Sequence, residues 1–132
     1  MEISANYSFN QEQPKMSTNT SLGQQGEKAA EHHLVAQGYE LLHRNYRFKR
    51  AEVDLVFRKG HFLVLVEVKT RTSRQFGYPE EAVSGRKQEM LFLAAEALVE
   101  ELDWQQEVRF DIVSIFWHHQ TPEILHIEDA FH

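Results

Sequence analysis

Hydrophobic and polar residues alternate along the chain in patterns that predict two helices. Residues 21–37 carry apolar side chains at helical spacing, with Ser21 as a candidate N-cap and Gly38 in the left-handed position that ends many helices. A second helical pattern runs from Ser84, a candidate N-cap, to about Leu102. Its apolar stripe consists of Leu91, Ala94, Ala95 and Leu98.

The remaining apolar stretches predict five strands. Their ranges are Tyr39–Tyr46, Ala51–Phe57, His61–Thr70, Val108–Trp117 and Glu123–Ile127. Lys59-Gly60 is a hairpin signal between the second and third strands. The resulting order, α-β-β-β-α-β-β, predicts an α/β fold with a central mixed sheet flanked by helices.

Residues 1–20 are polar and without a sustained period, which predicts a flexible tail followed by a single domain over residues 21–132. Met16 directly precedes the first helix, so translation starting at Met16 is an alternative to Met1. The chain has no cysteine, which excludes disulfides and thiolate zinc sites. No apolar run reaches the roughly 18–20 residues that span a bilayer, and no signal-peptide pattern is present. We therefore expect a cytoplasmic protein that does not insert into membranes.

Positive charge is concentrated in one segment of an acidic chain. The net charge is −6, but residues 44–87 hold 11 of the 14 Lys and Arg and 5 of the 20 acidic residues, a local charge of +6. Such segregation is typical of a protein with one basic face that binds nucleic acid. Solvation of different surfaces by the two charge types explains it equally well.

The stretch LVLVEVKTR, residues 63–71, combines a buried-strand pattern with charge. Glu67 and Lys69 are two residues apart and so project from the same face of the strand. On the preceding strand Glu52 and Asp54 also share a face. A hairpin loop formed by Lys59-Gly60 pairs Glu52 with Glu67 and makes Asp54 a diagonal neighbour of Glu67, at roughly 7–8 Å between backbones.

Carboxylates this close repel each other, and a divalent cation reverses that repulsion. Converging carboxylate oxygens suit Mg²⁺ or Mn²⁺, and Lys69 would place a fixed positive charge beside the ion. Glu27 adds a further acid if its helix packs against the open end of the hairpin. The alternative is structural: Lys69 pairs with Glu67 or Glu52 at the rim of a sheet.

Five blocks of sequence carry a resemblance to a known family. They are GQQGEKAAEHHLVAQGYELLHRNYR, AEVDLVF, LVEVKTR, FGYPEEAV and RFDIVSI, and together they are similar to the bacterial YraN-like family over about residues 22–131. Asp54, Glu67 and Lys69 also resemble the PD-(D/E)xK motif of nucleases with the restriction-endonuclease-like fold. Archaeal Holliday-junction resolvases are more distantly similar. Ala51 stands where the family's second block usually begins with glycine, and the motif's leading proline is absent.

The resemblance implies a metal-dependent DNA endonuclease, acting on branched or damaged DNA. Asp54, Glu67 and the backbone carbonyl of Val68 would be the metal ligands, and Lys69 the catalytic lysine. Glu27 matches the acidic residue of the first helix. The alternative function is a nucleic-acid-binding or adaptor protein that keeps the fold without turnover. A homodimer would let two sites address two strands, but no feature of the sequence requires one.

Four basic residues are candidates for contacts with nucleic acid. Arg71 and Arg74 follow the E-x-K strand beside Phe76 and Tyr78, and Arg47 precedes the strand of Asp54. Lys87 begins the apolar stripe of the second helix. Two positions remain open for Lys87, because its ammonium either lies along the sheet rim or reaches the site from the helix N-terminus.

Overall fold

The computed structural model describes residues 21–72 and 83–132, so the predicted tail and the residues Arg74, Phe76 and Tyr78 lie outside the described residues. It contains two helices and five strands, in the order helix, three strands, helix, two strands. Their ranges are α1 Leu22–Ala36, β1 Glu40–Phe48, β2 Ala51–Lys59, β3 Phe62–Arg71, α2 Gly85–Leu102, β4 Glu107–His118 and β5 Thr121–Phe131. The predicted mixed α/β fold is confirmed. The last strand is longer than predicted because its pairing with β4 continues to Phe131, opposite Phe110.

The five strands form one mixed sheet in the order β1-β2-β3-β4-β5. Strands β3 and β4 are parallel, and the other three pairs are antiparallel. A parallel pair needs a crossover connection, and α2 lies within that connection. The C-terminal end of β3, which carries Glu67 and Lys69, therefore lies beside the middle of β4.

The two helices cover opposite faces of the sheet. Helix α1 buries Ala29, Ala30 and Leu34 on the face formed by side chains such as Leu55 and Val66. Helix α2 buries its predicted stripe on the other face, against Val53, Val56, Leu63, Leu65, Phe110 and Ile112. The central strand β3 contributes alternately to both faces, which explains its continuous apolar pattern.

Local signals in the sequence fix the ends of both helices. Ser21 accepts a hydrogen bond from the N–H of Gln24, and the Gln24 side chain accepts one from the N–H of Ser21 in return. Ser84 accepts from the N–H of Lys87, and Gly38 has the predicted positive φ, 93°. The N-caps and the left-handed glycine are confirmed.

The hairpin register differs from the prediction by two residues. Lys59 pairs with Phe62, so Gly60 and His61 form the loop and Arg58 pairs with Leu63 rather than His61. Gly60 has φ 59°, a conformation that glycine adopts without strain in the first position of a two-residue turn. The predicted loop Lys59-Gly60 is wrong because it would put lysine in that position.

The corrected register leaves the charged residues beyond the last pair of β2 and β3. Pairing ends at Leu55 and Val66, so Asp54 and Glu67 each lie one residue beyond that pair, and the predicted pairing of Glu52 with Glu67 is not formed. The alternation of faces also breaks in β2, because Val53 and Val56 pack on the α2 face and Leu55 packs on the α1 face. The predicted shared face of Glu52 and Asp54 therefore does not follow from the period of two.

Across residues 21–72 and 83–132 there is no helix with both the length and the apolar character needed to cross a membrane.

Candidate metal and phosphate site

The candidate site lies where β2 separates from β3. Their pairing ends at Leu55 and Val66, while β2 continues alongside β1, with Val53 paired to Tyr46. In the fork between the two strands the Asp54 side chain accepts a hydrogen bond from the backbone N–H of Val68, with 2.8 Å from nitrogen to Oδ2. This bond holds the Asp54 carboxylate against the segment that carries Glu67 and Lys69.

Glu67 is the buried carboxylate of the site, with only 5% of its surface exposed. Its Oε2 lies 3.5 Å from the Nζ of Lys69 and 3.5 Å from the Nζ of Lys87. Its Oε1 is buried and has no hydrogen-bond partner. A buried carboxylate oxygen without a donor is energetically costly, and such an atom calls for an explanation such as an absent ion.

The electrostatics of Asp54 show that its surroundings disfavour a negative charge. Burial, reinforced by the charges of Glu67 and Glu27, raises the pKa of Asp54 to about 7. The hydrogen bond from Val68 and the charge of Lys87 act in the opposite direction but are outweighed. Asp54 therefore binds a proton more readily than an ordinary aspartate does, and a cation beside it would offset this tendency.

Glu27 reaches the same group of charges from α1. The approach depends on Gly26, where a Cβ would collide with the hydroxyl of Thr70 on β3. Burial, followed by the charges of Glu52 and Glu67, raises the pKa of Glu27. Glu27 also borders an open cavity of about 320 Å³, so solvent and ions have access to it. The other residues lining that cavity are Gln24, Lys28, Glu31, Arg44, Asn45 and Leu55.

The donor set fits a hard divalent cation held by few protein ligands. Within the described ranges, no three His, Asp or Glu side chains form a ready cage for a metal ion. Two carboxylates do converge, however, and one of them carries the unpartnered buried oxygen. Mg²⁺ is commonly bound through one or two carboxylates together with water and phosphate, so this set is sufficient for it.

The candidate nucleic-acid residues occupy different surroundings. Lys87 reaches the site, which decides between its two open positions. Arg47 is exposed and forms an ion pair with Glu52, with 3.5 Å between Nη2 and Oε2. Arg71 ends β3, two residues beyond Lys69.

Arg44, from the same basic segment, donates two hydrogen bonds to the buried Glu31. Among the described residues, Lys69, Lys87 and Arg71 are thus the basic residues near the site, and Arg47 lies further along the strand pair β1–β2.

A second group of buried polar residues, which the sequence did not predict, surrounds Asp111. The Asp111 side chain has no exposed surface. It accepts two hydrogen bonds from Arg109 at 2.8 and 2.9 Å, and one from the N–H of Asp129 at 3.0 Å. His126 Nε2 lies 2.7 Å from its Oδ2, and Arg109 also donates to Tyr39. The one available signal was the R-x-D spacing, which puts Arg109 and Asp111 on the same face of a strand.

These features define a small α/β protein with a candidate ion-binding site at the fork of two strands. A family model described as "Uncharacterised protein family UPF0102" matches residues 26–115, so the chain belongs to that family. Similar proteins include a UPF0102 protein of Christiangramia forsetii, 40% identical over 88% of this chain and 98% of the relative. A UPF0102 protein of Rhodococcus opacus is 43% identical over 88% of this chain and all of the relative. The resemblance to the YraN-like family is confirmed.

Proposed function

We propose that the protein is a metal-dependent DNA endonuclease of the restriction-endonuclease-like fold. The observation that carries this proposal is Glu67, a buried carboxylate with an unpartnered oxygen, placed beside Asp54 and Lys69. The topology supports it, because the acid of β2 and the E-x-K segment of β3 meet in one fork of a mixed sheet. Lys69, Lys87 and Arg71 provide positive charge near the fork for a phosphate backbone.

Asp54, Glu67 and the carbonyl of Val68 would hold Mg²⁺ or Mn²⁺. Such an ion, when bound, lowers the pKa of coordinated water and neutralises charge on a phosphate. Carboxylates that repel each other in the free protein gain most from a cation, so the raised pKa of Asp54 supports its proposed role as a metal ligand.

The chain's own residues have separable tasks in phosphodiester cleavage. Lys69, one third exposed, presents its ammonium at the mouth of the fork and stabilises the negative charge that develops on phosphate oxygens. Glu27, whose pKa is raised, can hold or accept a proton beside the reacting group. Arg47, Arg71 and Arg74 bind neighbouring phosphates and so position the strand. The proposed substrates are branched or damaged DNA, and a homodimer would bring two such sites to two strands.

A second candidate is a nucleic-acid-binding protein that does not cleave. The observation in its favour is that Lys69 and Lys87 both pair with Glu67, which compensates its charge without a metal ion. This candidate leaves Oε1 of Glu67 without a role. It also predicts that the protein binds DNA equally well with Mg²⁺ and with EDTA.

The test is incubation of the purified protein with linear duplex, single-stranded, flapped and four-way DNA in Mg²⁺, Mn²⁺ or EDTA. We expect cleavage of at least one substrate in the presence of metal and none with EDTA. Glu67→Gln, purified in parallel, is the matched control for a contaminating nuclease, since it removes one charge and keeps the side-chain shape. Binding without cleavage under every condition supports the second candidate, and cleavage that survives in Glu67→Gln contradicts the proposed site.

A further inference from the structure

Lys87 occupies an unfavourable position for a cation that only solvates the surface. It lies in the first turn of α2, three residues after the N-cap Ser84. The N-terminus of a helix carries partial positive charge, so a lysine there opposes the helix dipole. That first turn contains no acidic residue to compensate. The Lys87 side chain, 39% exposed, nevertheless places its ammonium 3.5 Å from Oε2 of the buried Glu67.

Two ammonium groups share a single oxygen of one carboxylate. Lys69 and Lys87 each place Nζ 3.5 Å from Oε2 of Glu67, and neither is within hydrogen-bonding distance of Oε1, which has no partner. Glu67 carries one negative charge, which a single lysine can balance. The second positive charge is therefore not needed to neutralise Glu67. Asp54 and Glu27 add further acidic charge nearby.

The distances also limit how far apart the two ammonium groups are. Because both lie 3.5 Å from the same atom, their nitrogens are at most about 7 Å apart. Two donors at that separation can each hydrogen-bond a different oxygen of one phosphate, at about 2.8 Å each. The N-terminus of α2 adds its own attraction for an anion at this point.

We propose that Lys87 contacts the same phosphodiester as Lys69 and stabilises the charge that develops on it during cleavage. This role rests on the proposed nuclease function. A divalent cation held by Glu67 and Asp54 would compensate their charge, so that Lys69 and Lys87 would no longer be needed at the shared carboxylate oxygen and could contact a phosphate. Lys69 reaches that phosphate from the sheet, and Lys87 reaches it from α2.

The experiment compares Lys87→Met, Lys69→Met and the double variant in single-turnover cleavage at saturating Mg²⁺, with DNA affinity measured separately in Ca²⁺. Arg86→Met is the matched control, because Arg86 is the exposed neighbour of Lys87 in the same helical turn. We expect Lys87→Met to lower the cleavage rate by about 10- to 10²-fold and to change DNA affinity by less than about fivefold. Arg86→Met should leave the rate unchanged.

Two results would overturn the proposal. A loss of affinity in Lys87→Met with an unchanged rate at saturation would make Lys87 one of the residues that merely grip DNA. A lower melting temperature with unchanged rate and affinity would make it a counter-ion of Glu67 and nothing more.

If the wild-type protein cleaves no DNA, a double-mutant cycle on DNA affinity still decides the role of Lys87. Two lysines that bind one phosphate should be coupled, so that the double variant loses less affinity than the sum of the single losses. Coupling between Lys69 and Lys87, but not between Lys69 and Arg86, supports the shared phosphate even though the nuclease function has failed. Additive losses contradict it.

Discussion

The buried carboxylates Asp111 and Glu67 differ in how their surroundings compensate a negative charge. Asp111 is surrounded by donors, since Arg109 and the N–H of Asp129 bond its two oxygens and His126 lies 2.7 Å from one of them. Burial by itself would raise the pKa of Asp111, but these donors outweigh it and the pKa lies below its ordinary value. Nothing further is needed to stabilise the charge there.

The Asp54–Glu67 group has the opposite balance. Burial and neighbouring acids raise the pKa of Asp54 to about 7, and one oxygen of Glu67 has no donor. The same fold provides hydrogen-bond donors for both oxygens of Asp111. The absence of a donor at Oε1 of Glu67 therefore calls for a specific explanation. This contrast supports the proposal that a cation binds at the Asp54–Glu67 group.

The largest effect should distinguish the stability of the two groups. Asp111→Asn removes the buried charged partner of Arg109 and leaves only the exposed Glu128, with 3.7 Å between Nη1 and Oε1, and we expect a loss on the order of 3–5 kcal/mol in the free energy of unfolding. Glu67→Gln is the matched change at similar burial, and it should cost less than about 1 kcal/mol because it also relieves repulsion. Urea denaturation measures both. Equal losses of unfolding free energy would mean that both groups serve only to stabilise the fold.

A comparably large effect is expected on turnover at Lys69. Lys69→Met should lower the single-turnover cleavage rate on the order of 10²- to 10³-fold, with DNA affinity largely retained, because stabilisation confined to the transition state affects the chemical step. Lys69→Arg should rescue poorly, since a planar guanidinium cannot replace a compact charge beside the carboxylates. Full activity in Lys69→Met would mean that Lys69 is only a salt-bridge partner of Glu67.

A smaller effect concerns pH. The pKa of Asp54 is about 7 in the folded protein and 3.8 as a reference, so between these values the folded state binds more protons than the unfolded state. Stability contributed by this group therefore falls as pH rises from about 4 to about 7. Asp54→Asn removes the penalty and should stabilise the protein at pH 8 by about 1–3 kcal/mol, with little gain at pH 4. Thermal unfolding at the two pH values measures the difference, and an equal gain at both would contradict the raised pKa.

The smallest effect should appear in the salt dependence of DNA binding. Replacing Arg71 and Arg74 with glutamine should reduce the slope of log affinity against log salt by about 0.9 for each phosphate that the variant no longer neutralises. Arg58→Gln is the control, because Arg58 lies at the other end of β2, where it faces Glu40. If the double variant and the control have the same slope as wild type, Arg71 and Arg74 only solvate the surface.

Sequence periodicity was sufficient to predict the strands, because their apolar positions recur with a period of two. The register was not determined in this way. Lys59-Gly60 and Gly60-His61 are both two-residue loops, and the backbone conformation of Gly60 decides between them. Likewise, the sequence left the position of Lys87 open. That position depends on how α2 is rotated about its axis, and an apolar stripe defines this rotation only approximately.

The Asp111 group could not be predicted because its members come from separate elements. Arg109 shares β4 with Asp111, but His126 belongs to β5 and Tyr39 precedes β1. Their proximity depends on strand order and on the irregular pairing of β4 with β5 between Phe110 and Ile112. Spacing along the sequence carries no information about either.

We propose that the Asp54–Glu67 group binds a divalent cation, which the Asp111 group does not need. The most direct test is calorimetric titration with Mn²⁺ of wild type, Asp54→Asn and Glu67→Gln at pH 8 and pH 6. We predict binding by wild type at pH 8, weaker binding at pH 6 because a proton on Asp54 competes with the metal, and no binding by either variant. Binding that is unchanged in both variants, or absent from wild type at pH 8, would contradict the account.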